Sequence, residues 1–193
     1  MNNDFVRGTY HIADNPQLYE PARTNNFMLV ISGLDELVAA GTDPELVTDD
    51  DLLANAQETI AISVIASSVP HFELSQIDIK EGNNTVHFAG VPTFNNQTIK
   101  LNDYIGARTK DILLAWQNLA YDVVTQKVNL ASKYKKQCKL VEYTPDYDEV
   151  IRVTDIYGAW IRNVSEGDFD NENNGKREVT AEIVYDRAVP RRS

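Results

Sequence analysis

Most apolar side chains in this sequence recur with the two-residue period of a β-strand. Asn26–Ser32 (NFMLVIS) is a short apolar run of strand length. In Thr59–Val69, Ile60, Ile62 and Val64 alternate with Ala61, Ser63 and Ile65, and Pro70 closes the run. Phe72–Lys80 and Thr85–Val91 flank Glu81-Gly82-Asn83-Asn84, a hairpin loop in which Gly and Asn tolerate positive φ. The parity of apolar positions shifts between Leu74 and Ile77, which predicts a bulge or bend there. Further strands are expected at Gln97–Leu101, Gln137–Tyr143, Glu149–Ile156, Trp160–Val164 and Glu178–Asp186.

One segment departs from this period. Between Asp103 and Val124, Ile105, Ile112, Leu113, Trp116, Leu119, Ala120 and Val123 are spaced for one face of a helix, with Asn102 or Asp103 as its cap. Ile112, Trp116 and Leu119 are the core contacts expected to fasten it to a sheet. Many short strands and one long helix (about 103–124) predict a mainly β fold, a two-sheet β-sandwich or small barrel with one docked α-helix. Residues 1–25 are polar, carry Pro16 and Pro21, and read as an extended N-terminal arm. Residues 26–187 read as a single β domain and 188–193 as a C-terminal tail. Within the domain, 35–58 holds Asp35, Glu36, Asp43, Glu45, Asp49, Asp50, Asp51 and Glu58 without a basic residue. That stretch is expected to be a solvated acidic insertion, with a short helix around Leu52–Gln57.

Charge changes the picture more than length does. The chain has 193 residues, enough for a real core, and 18 Lys and Arg against 29 Asp and Glu give 18 − 29 = −11. Such a chain repels phosphate backbones and anionic membrane surfaces. Its longest uncharged apolar run, Thr59–Val69, is too short to span a bilayer. One cysteine, Cys138, cannot make an internal disulfide, and Met1-Asn2-Asn3-Asp4 does not open a secretory leader, so a reducing cytoplasm is expected.

Candidate chemistry is sparse. His11, His71 and His87 lie far apart without metal-ligand spacing. Cys138 sits in an alternating strand and reads as a structural thiol. No nucleophile elbow, phosphate-cradling loop or dinucleotide fingerprint occurs. Asp170-x-Glu172-x-Asn174-Gly175 imitates the first half of a calcium loop, but Ala181 stands where the bidentate Glu belongs, in an expected strand, so the loop is rejected as a metal site. Lys127, Lys133, Lys135, Lys136 and Lys139 form a local basic stretch in an otherwise acidic chain. Opposite charges segregated along the sequence suit head-to-tail docking of identical subunits, with charge dispersed for solubility as the other reading.

Several stretches, in order, resemble the tail tube protein of contractile-tailed bacteriophages. Arg23-Thr24-Asn25-Asn26-Phe27 is similar to its opening R-x-N-x-F run, and Ala66-Ser67-Ser68-Val69-Pro70 to its small-residue segment ending in proline. Phe88-Ala89-Gly90-Val91-Pro92-Thr93-Phe94-Asn95 resembles its A-G-x-x-T-F-[DN] signature, and Trp116-Gln117-Asn118-Leu119-Ala120 its helical W-x-x-x-A. Gly158–Val164 and Val179–Asp186 resemble its two late strands. The likeness covers 23–187. The long acidic insertion and Ile161, where a proline is common in the family, depart from it.

The resemblance implies a structural polymer rather than an enzyme, without a cofactor. In that family six subunits close a ring, rings stack into a hollow tube, and sheath contraction drives the tube through the host envelope while genomic DNA passes down the bore without specific binding. The implied partners are further copies of the chain, the tail sheath protein, and baseplate and tail terminator proteins. The implied location is the virion tail, assembled in the bacterial host cytoplasm. Expected lumen-lining residues are Glu73, Asp78 and Glu81, with solvated outer-face carboxylates as the alternative. Expected inter-ring contacts are Glu81, Gly82, Asn83 and Asn84, with the N-terminal arm and the insertion. A tube-initiating baseplate ring protein, a secretion or bacteriocin tube protein, and a monomeric calcium-assisted β-sandwich binding module are the other readings.

Overall fold

In the computed structural model, residues 21–34, 55–167 and 175–192 are described. Residues 1–20 of the expected arm, most of the acidic insertion, and Asp170, Glu172 and Asn174 lie outside them. The elements are β1 (Phe27–Ser32), α1 (Ala56–Ser63), β2 (Val64–Ser67), β3 (Phe72–Glu81), β4 (Asn84–Phe94), β5 (Gln97–Asn102), α2 (Thr109–Ala120), β6 (Tyr121–Asp122), β7 (Lys127–Val128), α3 (Ala131–Tyr134), β8 (Lys136–Tyr143), β9 (Val150–Glu166), β10 (Glu178–Val184) and β11 (Arg187–Arg192).

Seven strands form an antiparallel sheet in the order β1-β8-β9-β10-β5-β2, with β11 also paired to β9. The first part of β9 pairs with β8 and β11, and its last part with β10. The two late runs expected as separate strands are therefore one strand of 17 residues. The change of partner falls at Gly158, with φ of +68°. A Cβ there would lie 2.1 Å from Asp186 Oδ2, so glycine is required. Lys135 Nζ holds both carboxylate oxygens of Asp186, at 2.7 and 2.8 Å. Residues expected as a C-terminal tail instead form β11, with Pro190 on an edge strand where its missing N–H costs nothing.

Alternation builds the core. Leu29 and Ile31 of β1, Ile99 and Leu101 of β5, Cys138 and Leu140 of β8, and Val179, Ala181 and Ile183 of β10 point inward and are buried. Burial pushes the Cys138 thiol up to about 12, so it is inert packing. Ile112, Leu113, Trp116 and Leu119 of α2 close over this surface. Trp116 Nε1 donates to Tyr134 O at 2.9 Å, which satisfies the one polar atom of a buried indole. Gln117 Nε2 donates to Arg162 O at 3.1 Å and Lys110 bonds Glu166, so α2 also guards the free edge of β9.

Two expectations are corrected here. Thr59–Val69 is not one strand: α1 runs to Ser63 and only Val64–Ser67 is extended. The decisive spacing is Ala56, Ile60 and Ser63, which are buried on one helical face, whereas Ile62 is exposed. Ser63 Oγ bonds Thr59 O and Thr109 Oγ1, tying α1 to the start of α2. The long helix covers Thr109–Ala120, not 103–124. Arg108 precedes it with φ of +45°, and Asp103 Oδ1 accepts the Lys110 N–H across the intervening loop at 3.3 Å. Ile105 is fully exposed and Val123 is exposed, so neither belongs to the helical core face.

Candidate assembly surface

β3 and β4 form a sheet of their own, a long ribbon outside the main sheet. Its turn is Gly82-Asn83, closed by the Glu81–Asn84 pair, with only Gly82 at positive φ (+62°). The expected irregularity is present. Leu74 faces Pro92 while Gln76 faces Ala89, so β4 carries an extra residue at Gly90–Val91. Ser75 Oγ donates to Val91 O at 3.2 Å, and a Cβ on Gly90 would come within 2.3 Å of Ser75 Oγ.

The bulge gives the ribbon a chequered pattern. On one face the base is apolar (Phe72, Leu74, Pro92 and Phe94) and the tip polar (Gln76, Asp78, Lys80 and His87). On the other, the base is polar (Glu73, Ser75 and Thr93) and the tip apolar (Ile77, Ile79, Val86 and Phe88). At the apolar base only Phe94 is half-buried, while Phe72 and Leu74 stay 54% and 55% exposed. Phe94 packs on Phe72 and edge-on to Tyr185, with ring centroids 5.7 and 5.9 Å apart. Phe72 and Phe94 line a groove of about 380 Å³ with Arg152, Ala188 and Pro190. Tyr185 Oη donates to His71 O at 3.3 Å and the Asn95 N–H to the same carbonyl at 3.2 Å, so both legs of the ribbon are anchored.

The apolar tip is bare to the same degree. Ile77, Ile79 and Phe88 are 50%, 52% and 52% exposed. Behind them, Asp78 Oδ1 accepts from Gln76 Nε2 at 2.7 Å and lies 2.7 Å from His87 Nδ1. These hydrogen bonds, Gln76's first, hold the Asp78 carboxyl below its usual range. Glu73 accepts instead from Asn95 Nδ2 at 3.0 Å. Strand alternation thus separates Asp78 from Glu73 and Glu81, and the three carboxylates do not share a face. Glu81, Gly82, Asn83 and Asn84 are together at the exposed tip.

A second apolar patch was not singled out by sequence reasoning. Beyond α2, β6 and β7 pair Tyr121 with Val128 and Asp122 with Lys127. Val124, Val128 and Leu130 are 67%, 77% and 72% exposed, and Val123 and Tyr121 are exposed beside them. Asp122 Oδ1 accepts the N–H groups of Val124 (2.9 Å) and Thr125 (3.2 Å), while Asn129 Nδ2 donates to Leu119 O at 3.0 Å. The knob is therefore built rigidly around bare apolar side chains. The available signal was the polar run Thr125–Lys127 between valines, which marks a turn better than a helix end.

Other candidates are not assembled into a site. Among the described residues there is no group of three His, Cys, Asp or Glu side chains able to hold a metal ion, and no helix long and apolar enough to cross a membrane. Ala181, the residue aligned with the last calcium ligand, is buried in β10.

No family model and no curated protein matches the chain. Solved structures do. A chain of the PVC sheath-tube complex of an extracellular contractile injection system, in its extended state, aligns over 94% of this chain and 99% of its own, with a TM-score of 0.65 and 14% identity. A chain of the anti-feeding prophage cap, described as tube-terminating, aligns over 90% and 93%, with a TM-score of 0.64 and 14% identity. One from the six-fold symmetrised anti-feeding prophage baseplate aligns over 89% and 95%, with a TM-score of 0.60 and 11% identity. At such identities the likeness establishes the fold: over most of its length this chain has the fold of those contractile-injection particle chains.

Proposed function

We propose that the protein is a structural subunit of a contractile tail tube, whose copies close into rings and stack into a hollow conduit. The observation that carries this reading is the β3–β4 ribbon, whose apolar tip face is left half-exposed among the described residues. A two-stranded ribbon alone is marginally stable in water and needs a covering surface. Covering what remains exposed of Ile77, Ile79 and Phe88 is worth on the order of 1 kcal/mol each. Repetition of that gain at every subunit favours a polymer over a monomer. The fold shared with sheath-tube, cap and baseplate chains supports the same reading.

The polar tip face is the part of the ribbon suited to a bore, with Asp78 as its carboxylate. Glu81, on the apolar side, belongs with Gly82, Asn83 and Asn84 at a contact between rings. Glu73, bonded to Asn95 near the base, lies on the face opposite Asp78 and does not belong to this bore surface. An acidic or neutral bore passes DNA without gripping phosphate, in keeping with the net charge of −11. Sheath, baseplate and terminator proteins are the outer and end partners in this reading, the particle is a virion-type tail, and the chain performs no chemistry of its own. The similarity to a cap chain and a baseplate chain also favours, as a second reading, a ring at one end of the tube.

Negative-stain microscopy and size-exclusion chromatography over rising protein concentration test the proposal. Rings or tubes are expected from the unaltered chain. A monomer that persists at high concentration overturns it, and single rings that never stack favour the end-ring reading.

A further inference from the structure

Among the exposed apolar side chains of the described residues are the ribbon tip (Ile77, Ile79, Val86 and Phe88) and the knob (Val123, Val124, Val128 and Leu130), carried by different sheets. We infer that the ribbon tip of one copy docks on the knob of a second copy, a head-to-tail contact that rests on the tube-subunit reading above. A twofold tip-to-tip contact would cover the ribbon and leave the knob in water. Tip-to-knob docking covers both, and because each copy offers both surfaces it repeats along a ring or from ring to ring.

Charge at the patch edges fits this pairing. The apolar tip face is edged by Glu81, which has no ion-pair partner among the described residues. The knob is edged by Asp122 and Lys127, opposite each other in the register. Glu81, on the docking face, is placed to meet Lys127, while Asp122 is engaged within the knob by Thr125 and two backbone N–H groups. Both surfaces are preformed, the tip by a tight turn and the knob by the Asp122 and Asn129 bonds, so little conformational freedom is lost on docking. About four side chains a side is less than the roughly 800 Å² per partner of a standard interface. The contact is therefore one that works by repetition, each copy giving a tip and receiving one.

Cysteine cross-linking of the full chain tests this pairing. Ile79→Cys and Val128→Cys are made separately and together, and oxidised mildly; native Cys138 is buried and stays silent. The double variant should give a ladder of disulfide-linked multimers. The two single variants, mixed, should give dimers joining one of each, and neither should cross-link alone. Ile77→Cys with Leu130→Cys repeats the test at an independent position in case the first pair misses disulfide geometry. Self-cross-linking of Ile79→Cys at the rate of the mixture overturns the inference, as do rings or tubes seen by microscopy in which neither pair cross-links; both results leave the tube reading standing. Absence of assembly altogether, in the unaltered chain, overturns the tube reading and this inference with it.

Discussion

In β10, Val179, Ala181 and Ile183 alternate inward and are fully buried; in β3, Ile77 and Ile79 alternate just as regularly and stay half-exposed. The two strands carry the same signal and differ in what lies opposite. β10 is flanked by β9 and β5 and faces the remaining core, including α2. β3 has a single neighbour, β4, and among the described residues all ten of its positions are exposed, at the base as at the tip. Regular alternation therefore specifies a surface that needs a cover, and the cover in one case is the same chain. For the ribbon it is, in our reading, another copy. The body should behave as a self-sufficient domain and the ribbon as an element waiting for assembly.

The largest test of that division is inside the body. Trp116→Ala removes a side chain with 1% exposure and leaves the Tyr134 carbonyl without its indole donor. The expected cost is about 3–5 kcal/mol of unfolding free energy, read by thermal or denaturant melts. Cys138 offers a second readout: inert to thiol reagents at pH 8 in the native chain, it should become reactive in the variant as the core opens. A loss below 1 kcal/mol would show that the helix is not a structural lid on the sheet.

Gly158→Ala should come next, at about 1–3 kcal/mol, because it combines a left-handed backbone with a clash against Asp186. Adding Asp186→Ala should recover only part of the loss, since it relieves the clash, keeps the backbone strain and removes the Lys135 ion pair. Full recovery would mean that crowding alone selects glycine where β9 changes partners.

Gly90→Ala makes the comparable change in the ribbon, crowding Ser75 at the bulge. Its effect should be local. Amide exchange should quicken along β3 and β4, while the β8–β9 amides and the global melt move little. Equal loosening of both regions would show that ribbon and body unfold as one unit.

How much of this was legible beforehand follows the same division. Strands β1, β5, β8 and β10 of the body, the bulge after Leu74 and the tight turn at Gly82 were readable, because period two and turn chemistry are local signals. So were Ile112, Trp116 and Leu119, whose helical spacing survives in α2. Thr59–Val64 misled because its β-branched residues alternate, and only tertiary packing of Ala56, Ile60 and Ser63 makes that segment a helix. Ile105 and Val123 continue the helical spacing on paper, but Arg108 at positive φ and the Asp122 turn end the helix on both sides. The separation of Asp78 from Glu73 follows from parity alone. It was hidden by treating the carboxylates of one hairpin as one surface. The knob was hidden because its valines were assigned to a helix face, and exposure is a property of the fold rather than of the residues.

The smallest expected change in monomer stability belongs to Ile79→Asp. The side chain is already half in water and the charge is placed on an open face, so the melt should shift by no more than about 0.5 kcal/mol. In an assembled particle the same carboxylate would be buried without a partner, at a cost of several kcal/mol per contact, and the contact repeats at every subunit. Rings and tubes should therefore disappear at protein concentrations where the unaltered chain forms them, with the fold intact by circular dichroism. Asp78→Asn, one position away on the opposite face, is the matched control and should assemble normally. If Ile79→Asp assembles as well as the unaltered chain, the apolar tip is not an interface, and its alternation has no cover to account for it.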